Sequence, residues 1–201
     1  MNSRPYRFPD IEDHRWQHWP DPVNFLMNDL DLELGCGNGR HSLQYCRSHP
    51  DRNLVAIERT RLKFDKFLTK AKKIKPENLL AVHADGTHWV AKNLGPETIQ
   101  RCFILYPNPY PKAKQANLRW HNMPFFLNLL DKIKIGGTIH YCSNLKWYIE
   151  EAELKFLKLK GWRTLPIQEI KYDPKDYRTD FEEKYQARGE LCYQLTLTKS
   201  K

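Results

Sequence analysis

The chain has 201 residues, 40% of them hydrophobic and 28% charged, which suffices for one domain with a buried sheet core and leaves little room for a second full one. No apolar run approaches bilayer length, and the polar, acid-bearing start MNSRPYRFPDIEDHRW has neither the apolar centre of a secretory leader nor the acid-poor character of an organellar one, so a cytoplasmic protein with no membrane partner is expected. Lys and Arg outnumber Asp and Glu by 33 to 24, and the net charge of +9 favours a polyanionic partner.

Residues 1–26 scatter Pro5, Pro9, Pro20 and Pro22 among Trp16 and Trp19 without a clean period; they are expected to form an irregular arm ahead of a single domain over 27–201. Periodic structure begins with LDLEL at 30–34, a strand running into glycine punctuation, followed by HSLQYCRSH, a helix stopped by Pro50. NLVAIE at 53–58 is a buried strand. The basic stretch over 61–74 is a helix whose apolar side is Leu62, Phe64, Phe67, Leu68, Ala71 and Ile74, and NLLAVHA is a third strand. A short helix over about 87–93 precedes CFILY at 102–106, a fourth strand, and then the proline-studded loop YPNPYPKAKQ. A helix over about 119–132 leads through a Gly136-Gly137 turn into TIHYCS, the fifth strand. Another helix over about 145–160 closes at Gly161, and LCYQLTLT at 191–198 belongs to the paired strands that finish the sheet. This alternation predicts an α/β, Rossmann-like fold: a mostly parallel seven-stranded sheet, helices on both faces, and an antiparallel C-terminal strand.

Gly35, Gly37 and Gly39 fall where the first strand turns into the first helix, the place at which an open α/β sheet binds nucleotides. A dinucleotide fingerprint needs glycine at 40, where this chain has Arg40. Glu58 ends the second strand, where a carboxylate accepts hydrogen bonds from both ribose hydroxyls. Asp85 ends the third and suits an adenine amino group, while Glu33, within the first, suits the ammonium of a methionine moiety. Acids at three neighbouring strand ends beside a tight turn, with no phosphate-binding lysine, fit a cofactor that carries adenosine and an amino acid but no phosphate. S-adenosylmethionine is therefore expected in place of NAD or ATP. Each acid alone is equally a cap or a solvated residue, and Asp85 before Gly86 is an ordinary turn pair; the case rests on the three together.

The stretch over 59–75 carries Arg59, Arg61, Lys63, Lys66, Lys70, Lys72, Lys73 and Lys75 against Asp65 alone. Each lysine by itself is a solvated helix residue, but a stripe of nearly one sign attracts polyanions and points to RNA or DNA. The cysteines Cys36, Cys46, Cys102, Cys142 and Cys192 are odd in number and contain no Cys-x-x-Cys pair, so reduced thiols are expected and no structural zinc. Cys36 is a small residue in a tight turn. His14 and His18 have helical ligand spacing without a third ligand nearby, and no metal site is expected.

Taken with the glycine motif, YPNPYPKAK at 106–114 and RTDFEEKYQARG at 178–189 are more specific. They resemble the F-P-D-P-W-P-K-K loop and the T-x-F/Y-E-x-K/R segment of the bacterial tRNA (guanine-N(7)-)-methyltransferases, and the likeness covers nearly all of 30–198. It implies that Glu33, Gly35, Gly37, Gly39, Glu58 and Asp85 bind the cofactor, and that Asn108 stands at the reaction centre as cofactor contact and catalytic residue. It further implies that Lys112 and Asn144 contact substrate and that Thr179, Phe181 and Glu182 belong to the guanosine pocket. The implied partner is tRNA, on a basic surface including Arg61, Lys63, Lys66, Lys70, Lys112, Lys114 and Arg119; the protein would be a monomer or homodimer.

The departures matter chemically. Asn108 and Tyr110 stand where the family has Asp and Trp, Asn144 replaces a second Asp, and the basic tract after the loop thins to QANLRW, keeping Arg119. Guanine N(7) has a lone pair and no proton, so methyl transfer to it depends on alignment and needs no general base. Amides can align the base, yet they do not stabilise the positive charge that develops on it, an effect worth on the order of a hundredfold in rate. Weakened activity or an altered base follows as an expectation. Two alternatives stay open: a methyltransferase for another RNA or DNA base, and an RNA-binding homologue with weakened turnover.

Overall fold

The computed structural model describes residues 30–170 and 176–201. The arm expected over 1–26, with His14 and His18, lies outside the described residues. Strand β1 (Leu30–Leu34) pairs in parallel with β2 (Asn53–Glu58) on one side and β4 (Ile99–Leu105) on the other. Strand β3 (Leu79–His83) lies beyond β2, and β5 (Ile133–Ser143) beyond β4, both parallel. β8 (Tyr193–Lys199) runs antiparallel to β5 and carries β6 (Trp162–Thr164) and the two-residue β7 (Gln168–Glu169). The order β3-β2-β1-β4-β5-β8-β6, with β7 also on β8, is the expected mostly parallel sheet with an antiparallel C-terminal end, but it has eight strands where seven were expected, because the short β6 and β7 both pair with β8. The chain adds strands one way from β1 to β3 and the other way from β4 to β5, which opens a crevice at the carboxyl ends of β1 and β4.

The connecting helices are α1 (Arg40–Ser48), α2 (Arg61–Ile74), α3 (Gly86–Asn93), α4 (Phe125–Lys132), α5 (Lys146–Phe156) and α6 (Asp180–Gln186). Two apolar layers flank the sheet, one gathering Leu32, Val55 and Ile104 with Phe125 and Ile149, the other Leu54, Ala56 and Phe103 with Phe64 and Phe67. LDLEL alternates as a half-exposed strand would, yet all five residues are buried. Its acids are satisfied inside: Asp31 takes both Nε and Nη2 of Arg52 at 2.6 Å and the Tyr45 hydroxyl at 2.5 Å. A buried carboxylate persists only with such partners.

Two stretches differ from the sequence expectation. In place of one helix over 119–132 there are 3₁₀ turns at Ala113–Leu118 and Trp120–Asn122, and α4 starts only at Phe125. Pro124 is the reason: Met123, pushed by the following ring to φ −69°, ψ 140°, leaves the helical region. Gly136 and Gly137 do not form a turn before β5 but lie inside it, where the pairing with β4 slips from Ile99↔Ile133 to Arg101↔Thr138. A Cβ on Gly137 would stand 2.9 Å from the Gln100 carbonyl oxygen, so the two backbones meet where only glycine fits.

Candidate active site

The glycine turn is tied to the neighbouring strand: the Ile57 carbonyl accepts from the N–H groups of Gly35 (2.8 Å) and Cys36 (3.1 Å). Gly37 sits at φ +60°, and a Cβ built on it or on Gly35 meets nothing within 4 Å. The backbone there is bare toward the cleft, as close approach of a ligand requires. Gly39 serves the interior instead, since its Cβ would lie 1.9 Å from Cδ2 of the buried Phe67 ring. The Cys36 thiol is pushed well up by burial, with Glu33 and Glu58 adding, so it is no thiolate nucleophile.

Glu58, 6% exposed at the end of β2, accepts from Gly37 N–H at Oε2 (2.9 Å) and from Thr60 N–H at Oε1 (2.6 Å). A carboxylate has about four acceptor positions, so two remain for a ligand. Asp85 caps α3, its Oδ1 accepting from the Thr87 N–H (2.9 Å) and hydroxyl (2.6 Å). Burial works to raise its pKa, but the Thr87 bonds prevail and hold it below the usual value. Its Oδ2 is only loosely paired with the exposed Arg59, at 3.7 Å. Glu33 is buried within β1 and occupied by the Ser42 hydroxyl (2.6 Å) and His41 Nδ1 (3.0 Å).

After β4 the loop bends twice through left-handed backbone at non-glycine residues, Tyr106 (φ +52°) and Tyr110 (φ +44°). Such positions cost free energy and persist only where surroundings hold them. Asn108 Oδ1 accepts from Tyr110 N–H at 3.2 Å, closing the turn between them. Arg119, expected on the RNA-binding surface, is instead buried beneath this loop: it donates to the Tyr110 carbonyl from Nε (3.2 Å) and Nη2 (3.1 Å), pairs with Glu151 and lies 4.9 Å from the Trp147 ring centre. Its role is to hold the loop.

The C-terminal segment folds over the opposite wall. Thr179 caps α6 by accepting from Glu182 N–H at 3.0 Å. Glu182, fully buried, accepts from the Tyr106 hydroxyl (2.9 Å) and from Arg178 Nε (3.0 Å) and Nη2 (2.7 Å), so its carboxylate is already committed. Asn144 donates to Glu190 at 2.7 Å, and Lys112 is exposed where the first 3₁₀ turn begins.

These elements enclose a cleft of about 610 Å³ at the carboxyl ends of β1 to β4. Of the residues expected from sequence it brings together Gly35, Gly37, Glu58, Asp85, Asn108 and Phe181. A second compartment of about 300 Å³ shares the glycine turn and Phe181 and is lined by Glu33 and Thr179. Gly39, Lys112, Asn144 and Glu182 line neither. Sequence reasoning missed Thr60, Tyr106, Tyr185 and Lys63 as cleft residues. It also missed Arg178, for which a signal existed, because a glutamate destined for burial needs a cation partner.

The donor set suits an adenosine-bearing sulfonium cofactor: bare glycine backbone, a carboxylate with two free acceptor positions for a ribose diol, and a second acid at the next strand end. The volume lies in the range of small-molecule and cofactor pockets. Among the described residues, no helix is long and apolar enough to cross a membrane.

A family model described as "Putative methyltransferase" matches residues 28–195. A tRNA (guanine-N(7)-)-methyltransferase of Nitrosococcus oceani is 29% identical over 170 residues, 84% of this chain and 71% of that protein. One of Myxococcus xanthus is 28% identical over 85% of this chain and 83% of its own length. Against one from Thermotoga maritima, 23% identical over 85% of this chain, the chain spans only 54% of the relative's length. In three dimensions the chain is similar to the 16S rRNA methyltransferase KamB, with a TM-score of 0.65 at 18% identity over 94% of this chain and 97% of that one, a likeness of fold. With the model matched along most of its length and a sheet of the corresponding architecture, the chain belongs to this methyltransferase family.

Proposed function

We propose that the protein transfers a methyl group from S-adenosylmethionine to guanine N(7) in tRNA. The observation that carries this reading is the convergence in one cleft of the bare glycine turn, Glu58 and Asp85, with Asn108 and Phe181 on the facing walls. The names of the curated relatives support the choice of polymer and atom. Glu58 would hold the ribose hydroxyls and Asp85 the adenine amino group, while the bound cofactor supplies a methyl group activated on sulfonium sulfur.

The chain's own part is then alignment and exclusion of water. Phe181 stacks on Tyr185, with ring centres 6.0 Å apart and planes at 22°, and Tyr106 lies against both, giving an aromatic wall on which a purine can rest. Asn108, on a loop fixed by Arg119, can hydrogen-bond to the base edge or the donor. For the RNA body, Lys63, Lys66 and Lys70 are exposed along α2, with Lys112 and Lys114 beyond the loop; Arg61 pairs with Asp65 at 3.0 Å. Lys63 also lines both compartments, at the junction of the basic stripe and the cleft.

Unmodified tRNA incubated with methyl-labelled donor should take up label and acquire a site cleaved by borohydride followed by aniline. Donor binding without transfer to tRNA would oppose the reading. Transfer to a different base is the second reading, favoured by one observation: Glu182 is committed to Arg178 and Tyr106, which leaves less negative charge beside a cationic product. Labelled nucleosides other than 7-methylguanosine would select it.

A further inference from the structure

One face of α1 is engaged by the segment that leads into α6. Arg40 Nη1 lies 3.3 Å from Asp180 Oδ1 and also pairs with Glu183, while Asn38 Nδ2 donates to the other Asp180 oxygen. One helical turn further along, Gln44 Nε2 donates to Asp176 Oδ1 at 3.2 Å. The Arg40 guanidinium also stands 5.8 Å from the Tyr177 ring centre.

Arg40 is poorly placed to serve α1 itself. It is the first residue of that helix, whose first turn has no acid, and the helix dipole disfavours a cation at this end. Its charge is answered by acids 140 and 143 residues away in sequence. On its other side α6 is anchored by the buried Glu182. Phe181 lies between the two attachments in sequence and walls both compartments.

We propose that Arg40 is a positioning residue: its hold on Asp180 and Glu183 fixes α6 against the glycine turn and so sets where Phe181 stands in the cleft. The functional half of this inference rests on the cleft being the site of donor and base. The side chains of Arg40, Asp180 and Glu183 are 28%, 52% and 56% exposed, so the attachment adds little to global stability and is screened by salt. A seven-residue helix does not hold its own shape, and its placement follows its attachments.

Hydrogen exchange read by mass spectrometry on the full chain, paired with methyl-transfer kinetics, tests this. In Arg40→Ala, amides over 177–190 should exchange roughly three- to tenfold faster at low salt, with β1 to β5 unchanged. Salt near ~0.5 M should give the wild type much of the same increase and the variant little more. The kcat/KM for RNA should fall by a similar factor, while the affinity for the demethylated cofactor changes by less than about twofold. Arg40→Lys, which keeps the charge without the planar fork, should fall between the two. Unchanged exchange in Arg40→Ala, an increase spread over the sheet, or a local increase with unaltered kcat/KM would each overturn the proposal. If exchange rises locally but no RNA is methylated by either protein, the attachment stands and the functional reading of the cleft falls.

Discussion

The backbone N–H of Gly37 donates to Glu58 Oε2 at 2.9 Å, which joins the glycine turn and the acid ending β2 into one unit. The turn presents bare backbone to the cleft and at the same time orients the carboxylate that we propose holds the ligand. The neighbouring Gly39 has a different duty, and the two glycines should separate experimentally. Gly37→Ala meets no protein atom, so its cost is left-handed strain of about 1–2 kcal/mol, and the main loss should be cofactor affinity, roughly tenfold or more. Gly39→Ala drives a Cβ into the Phe67 ring and should cost about 2–4 kcal/mol of stability. Thermal unfolding with cofactor titration reads both; the reverse order of effects would contradict the assignment.

How much of this was legible in the sequence depends on range. The strands, the glycine turn and the acids Glu58 and Asp85 follow from local pattern, because a residue at the carboxyl end of a parallel strand has few places to go; the order of the strands emerges only in the fold. For other residues expected at the site a decisive partner comes from far along the chain: Glu190 for Asn144 is 46 residues away, and Tyr106, which shares Glu182 with the nearby Arg178, is 76. Pairing at that separation leaves no periodic trace. Arg119 looked like one more surface cation, and only the fold shows the Tyr110 carbonyl above it. The broken helix before α4 was readable, since the restriction that Pro124 places on Met123 is local.

Restoring carboxylates at the two amide positions should have unequal consequences. Asp at 108 can still accept from Tyr110 N–H, so Asn108→Asp keeps the turn and adds negative charge to the cleft. Its turnover on tRNA should rise by several-fold, up to roughly tenfold, if the base becomes cationic. Asn144→Asp loses the bond donated to Glu190 and sets two carboxylates together, at a cost of about 1–2 kcal/mol. Single-turnover rates and urea unfolding of both variants check this; a fall in rate for Asn108→Asp would favour a different base.

Acid should destabilise the fold before the carboxylates titrate. Burial, with Arg178 and Arg101 adding, pushes His140 down to about 4, and its ring stacks on Phe103 with centres 5.1 Å apart. Folded His140 stays neutral where an unfolded histidine, with a pKa of about 6.5, already binds a proton, so stability is intact above that value and declines as pH falls from about 6.5 to 4. The loss reaches at most about 3 kcal/mol. Below this window the depressed Asp85 acts in the same direction, its contribution present above the unfolded pKa and lost as pH drops through the folded one. Urea unfolding at pH 7.5 and 4.5 for the wild type and His140→Gln should show a smaller acid loss in the variant; equal slopes would refute the assignment to His140.

Arg119 and Lys63 should behave as different kinds of cation. Arg119→Ala frees the Tyr110 carbonyl and leaves Glu151 without its guanidinium, so stability should fall by about 1–3 kcal/mol and turnover with it, while the salt dependence of RNA binding stays put. Lys63→Ala should leave stability within about 0.5 kcal/mol and reduce the slope of log affinity against log salt by about one. Filter binding across a salt series distinguishes them, and a reduced slope for Arg119→Ala would return that residue to the RNA surface.

The most direct measurement is calorimetric titration of S-adenosylhomocysteine into the wild type and into Glu58→Gln, with circular dichroism confirming that both are folded. Saturable binding by the wild type, weakened on the order of tenfold or more in the variant, is the expected result. No heat with the wild type, or equal affinity in the two proteins, would contradict a cleft in which Glu58 grips the donor's ribose.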